Sequence, residues 1–223
     1  MANSLRCPVL AYLSAGGILL TIHLCFAVSV WQGIFEPCNP YWSDCESISR
    51  AGRHGLAYFL FKGGMIPVCL LLGFFWQLNR AWLQSLGSDA RSLPALGWTA
   101  SFALLVYTLS LGHSGDAFYL LRRFGVVFFL GLSFIAFVRL SAALLHTRLR
   151  DSARLLRQSL GFILCVALFS LVLDAWLGSD YDRLENAFEW WLILLLTLQL
   201  FWIARLWQRS DFRLTATVAG SGS

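Results

Sequence analysis

Few residues in this chain are able to do chemistry, and most of them gather toward one end of its apolar segments. Glu189 opens a long apolar run from Trp190, and His113 and Asp116 lie in the turn GHSGD. In a catalytic arrangement His113 would be the general base, and Asp116 or Glu189 would orient it. Ser47, Ser49 or Ser114 would be the nucleophile. Lys62, Arg122 and Arg123 supply positive charge at a similar depth, and Asp174 and His23 complete the set. Such a mixture suits a lipid headgroup, with cations holding phosphate and carboxylates meeting hydroxyls or amines. The structural alternative for each residue is plainer. Arg122 and Arg123 would snorkel to the interface, Asp174 would reach water, and Glu189 with Lys62 would form an ion pair. No HExxH, CxxC, GxSxG or phosphate-cradling glycine loop occurs. The four histidines are scattered, so neither a metal centre nor a cofactor is expected.

These residues need a scaffold, and the composition names it. The 223 residues are 58% hydrophobic and only 13% charged, where a soluble domain carries about a quarter charged residues. Six apolar stretches, about 9–31, 56–78, 93–111, 117–140, 159–177 and 187–206, predict an all-α polytopic membrane protein with six spans. At about 1.5 Å per residue, Ala187 to Leu206 alone covers about 30 Å, the hydrocarbon thickness of a bilayer. Residues 1–219 read as one transmembrane domain, and 220–223 as a flexible linker left by an expression fusion. Pro67 is expected to kink the second span.

Orientation follows from the arginines. With six spans, the N-terminus, the loops after the second and fourth spans, and the C-terminus share one side. That side holds 11 of the 17 basic residues, so both termini are expected in the cytoplasm. The arginines border apolar runs and form no soluble stripe, which argues against nucleic-acid binding. Compact loops and a single lysine favour a bacterial inner membrane over a eukaryotic endomembrane. Cys38 and Cys45 then fall in the first non-cytoplasmic loop, where an oxidising compartment favours a disulfide, with free thiols or metal binding as alternatives. Cys7, Cys25, Cys69 and Cys165 read as small buried apolar residues.

Two stretches carry a family resemblance. The first loop, CNPYWSDCESISRAG, contains Ser47, Ser49 and Gly52 in an S-x-S-x-x-G pattern. The last helix begins NAFEWW, with the acidic–aromatic pair Glu189–Trp190, and is followed by RSDFRLTAT, with Asp211–Phe212. Both resemble the family of six-span proteins that includes the damage-regulated autophagy modulators, the fibroblast-growth-factor-receptor-activating proteins and the Golgi GPI-anchor lipid-remodelling factor. The middle helices match only in hydrophobicity, and Asp44–Cys45–Glu46 makes the first loop more acidic than is usual there. The resemblance implies roles from lipid-anchor remodelling through autophagy regulation to scaffolding a phosphoinositide kinase, with no catalytic residue set to carry over.

Two readings of function follow. In one, an outer-leaflet cavity binds a lipid headgroup and supports its remodelling by acyl transfer, with Glu189 and His113 central. In the other, the protein is a non-enzymatic adaptor whose basic segment 146–157 binds anionic lipid or a protein partner.

Overall fold

The computed structural model describes residues 4–42 and 44–215. Six long helices account for the chain: α1 (Cys7–Trp31), α3 (Gly55–Ser85), α4 (Leu93–Ser110), α5 (Asp116–Leu144), α6 (Arg150–Leu177) and α7 (Asp182–Arg209). A single turn, α2 (Ile48–Ala51), sits in the first loop. The linker read at 220–223 lies outside the described residues.

Each long helix packs on its neighbour in sequence, and α7 closes the ring against α1. The helices are apolar all round. Leu20, Phe59, Phe102, Val127, Leu171 and Trp176 face outward while Phe75, Trp76, Phe137 and Trp207 fill the centre. A helix apolar on every side needs a non-aqueous surround, and several of these are long and apolar enough to cross a membrane. Polar side chains within them mostly turn back on their own helix. Ser101, Thr108 and Thr197 donate to the carbonyls of Gly97, Leu104 and Ile193 at 2.7–2.8 Å. Gln199 bonds Leu195 and also accepts from Ser159, tying α7 to α6.

Glycines set the closest approaches. Gly97 of α4 receives the Trp76 side chain of α3, and Gly73 of α3 receives Trp98 of α4, a reciprocal fit that no larger residue permits. Gly64 faces Thr21 of α1, whereas Gly63 meets nothing.

The helices overrun the apolar stretches. α3 continues through Pro67 to Ser85, and α6 starts at Arg150 although its apolar run starts near Ser159. Hydropathy measures the membrane-embedded part, while helical hydrogen bonding carries on into the polar region. Two features fall outside the expected pattern. Strand β1 (Ser4–Arg6) pairs antiparallel with β2 (Arg213–Thr215), so the two described ends of the chain meet. Beside them, Trp82 donates to the Ser210 hydroxyl at 2.9 Å, and Phe212 packs on Trp207. The Asp211–Phe212 pair thus closes the bundle at this end, with Asp211 also ion-paired to Arg213.

Candidate functional site

The opposite end of the bundle carries the polar residues, and the first loop organises it. Cys38 and Cys45 are joined in a disulfide that draws the loop into a compact hook. The hook lies along the first turns of α7. Arg183 grips the Asp44 carboxylate with two bonds of 2.7 and 2.8 Å, and its carbonyl accepts from the Asp44 backbone. One turn on, Asn186 donates to Cys45 O at 2.8 Å, and Trp190 Nε1 to Glu46 O at 3.0 Å. Trp191 donates to Tyr41 O at 3.2 Å. Positions 183, 186 and 190 recur at helical spacing, so one stripe of α7 reads the backbone of the loop.

Glu189 belongs to the same contact. The Ile48 backbone N–H, at the start of α2, points to its carboxylate. Ser47 caps that turn, its hydroxyl accepting from Arg50 N, while Ser47 and Ser49 share a 3.1 Å hydrogen bond. Neither serine is bonded to a histidine. His23 offers Nδ1 to Leu19 O at 2.7 Å and Nε2 to the Tyr41 hydroxyl at 2.9 Å, and packs edge-on to Trp190. It is a wedge between α1, the loop and α7.

Beneath the loop, Glu189 lines a cavity of about 30 Å³ with Ile48, Phe61, Tyr107, Phe129 and Ile193. That volume has room for one or two waters. Tyr107 is 5% exposed and its hydroxyl has no hydrogen-bond partner among the described residues. Gly125 of α5 lets its backbone approach closely, since a side chain there would run into Tyr107 Cβ, Tyr107 N and Ala103 O. Glu189, Arg53 and Arg122 all lie within electrostatic reach of this hydroxyl. Arg53 bonds Ser49 through Nη2 at 3.3 Å, but its buried Nε has no partner. Arg122 is pinned by two carbonyls of the α4–α5 turn, Ser110 O at 3.2 Å and His113 O at 2.9 Å. Neither guanidinium takes part in an ion pair among the described residues. Burial, and then the like charge of Arg122, push Arg53 below its ordinary value. Even so, a guanidinium stays charged at neutral pH. Two cations therefore lie within electrostatic reach of each other, with no carboxylate ion-paired to either among the described residues.

Several expected associations do not form. Lys62 meets Tyr58, through a 2.7 Å bond to its hydroxyl and across its ring, and Leu109 O; it makes no ion pair with Glu189. Lys62 turns toward α4, where the Leu109 carbonyl and a tyrosine one turn back on α3 take its ammonium. His113 is exposed and stacked on Phe118, and Asp116 is exposed in the first turn of α5. Neither lines the cavity that Glu189 enters, so these three do not assemble as a catalytic set. Arg123 and Asp174 are exposed and take part in no ion pair among the described residues, because each projects away from the neighbouring helices. Cys165 is likewise exposed, unlike Cys7, Cys25 and Cys69. The cavity is also far smaller than a headgroup. Tyr107 carries no signal in the sequence, and the one signal for Arg53 is that it follows the S-x-S-x-x-G pattern.

Compared with protein-family models, curated proteins and solved structures, the chain matches none.

Proposed function

We propose that this is a six-span protein, both termini cytoplasmic, whose outer end binds a phosphate-bearing lipid headgroup through Arg53 and Arg122. The single observation carrying this reading is that two guanidiniums, one with a buried unpartnered Nε, lie within electrostatic reach of an unpartnered buried hydroxyl and take part in no ion pair among the described residues. Half-buried charges retained without an opposite charge are costly, and a phosphate supplies that charge together with an acceptor for the free Arg53 Nε. The bulk of the headgroup sits at the mouth between the first loop and the α4–α5 turn, since the inner cavity is too small to admit it, and only a phosphate oxygen reaches down toward the Tyr107 hydroxyl. Glu189 lies beneath the loop, inside that cavity.

The reading is one of binding. The serines, His113 and Glu189 make no nucleophile–base pair, so acyl transfer draws no support from this geometry. The arginine asymmetry supports the topology, and the resemblance to the autophagy-modulator and GPI-anchor-remodelling family supports a lipid role in a membrane such as the bacterial inner membrane.

Thermal stabilisation of the purified protein by phosphatidylethanolamine, against a phosphate-free diacyl glycolipid, tests the proposal. Phosphatidylethanolamine should stabilise the wild type more, and Arg122→Gln should erase the difference. Equal stabilisation by both lipids refutes it.

A further inference from the structure

The end of the bundle remote from the first loop carries a second charged feature. The turn after α5 and the first two turns of α6 enclose a groove of about 710 Å³, lined by Leu145, His146, Arg150, Arg154, Arg157 and Gln158. Arg150, Arg154 and Arg157 stand at i, i+4 and i+7, so they share one face of α6. The face about a quarter turn away, Ala153, Leu156 and Leu160, is buried against the bundle and fixes the rotation of the helix. All three arginines are exposed. Only Arg154 is ion-paired, to Asp151 at 3.1 Å, and Asp151 is the one acid between residues 145 and 158. The positive end of the α6 dipole adds to this charge instead of opposing it.

Depth selects the occupant. α6 begins at Arg150, yet its apolar run begins near Ser159, so about two and a half turns project beyond the hydrocarbon, roughly 14 Å at 1.5 Å per residue. A headgroup layer of about 5–8 Å per leaflet then takes in the backbone positions of Arg157 and Arg154, and Arg150 lies beyond it with a side chain long enough to reach back.

We propose that this groove docks the headgroup of an anionic phospholipid from that leaflet, with Arg150, Arg154 and Arg157 as its ligands. The site is separate from the outer one and does not depend on it. Charge complementarity and placement at the phosphate plane favour a lipid over a soluble protein partner, which need not approach the membrane so closely.

The test uses full-length protein in neutral detergent, titrated with fluorescent phosphatidylglycerol or phosphatidylcholine. The wild type should prefer phosphatidylglycerol, and that binding should withstand millimolar inorganic phosphate. Replacing the three arginines (Arg150→Gln, Arg154→Gln, Arg157→Gln) should weaken it on the order of 100-fold. Asp151→Asn frees Arg154 and removes a negative charge, so it should tighten binding roughly fivefold, a gain that misfolding cannot imitate. The outer site is untouched in both variants, and its contribution cancels in the comparison. Affinity indifferent to headgroup charge would return the groove to a protein partner and overturn the proposal. So would displacement by inorganic phosphate, or no change in either variant.

Discussion

Replacing Tyr107 with phenylalanine separates a ligand-facing hydroxyl from an incidental one. The side chain is well held, its ring edge-on to Phe61 with centroids 6.1 Å apart and its Cβ against Gly125, and phenylalanine keeps both contacts. Only the buried, unpartnered hydroxyl is lost. Leaving such a group unsatisfied costs about 1–3 kcal/mol, so the variant should be more stable than the wild type by about 1–2 kcal/mol in delipidated detergent. For a chain of this length that is an increase of roughly 2–8 °C in apparent Tm. Headgroup binding should reverse the order of benefit. At about 100 times Kd a ligand adds about 2.7 kcal/mol to the wild type. The variant, missing one hydrogen bond to phosphate, should gain about 1 kcal/mol less. Melting curves by intrinsic tryptophan fluorescence, with and without phosphatidylethanolamine, read both differences. A variant that melts below the wild type without lipid shows that the hydroxyl is already satisfied. An identical lipid-induced shift in the two proteins shows that it never meets the headgroup.

Three further outcomes are expected. Removing the disulfide with Cys38→Ser and Cys45→Ser frees a loop spanning a sequence separation of 7, which should cost about 2.5 kcal/mol on a chain-entropy basis. A reduced wild type melting like the oxidised one would contradict this. Gly97→Ala sets a methyl group against the Trp76 side chain and should cost about 1–3 kcal/mol, seen as a lower apparent Tm. Asp89 is held below its ordinary carboxyl range chiefly by the hydrogen bond from Arg80. With a depressed folded pKa, its contribution is complete above about 3.9 and is lost as pH falls through the folded value. Arg80→Gln should therefore flatten the acid limb of a stability–pH profile in that window, and an unchanged limb would count against the pairing.

How much of the site was legible varies from residue to residue. The disulfide was readable because it needs only two cysteines in one loop and an oxidising compartment. Glu189 stood out as an acid at the head of an apolar run, but its contact with the start of α2 did not. Lys62 shows why. Depth along a helix follows from counting residues, while azimuth around it depends on which neighbours pack there, and Tyr58 with Leu109 took the ammonium first. His113, Asp116, Arg123 and Asp174 share the outer depth with Glu189 yet point away from it, for the same reason.

What the sequence by itself determined is a property of composition: apolar segments of bilayer length must be helical, since a chain in hydrocarbon has to satisfy its own backbone groups. The positions of the arginines along those segments were equally plain. Only the tertiary structure decided that Arg53, Arg122, Tyr107 and Glu189 are neighbours. They come from a loop and three different helices, and ring closure between α7 and α1, with the loop fastened along α7, brings them together. No local pattern encodes a contact of that kind, because it depends on packing between segments far apart in the chain.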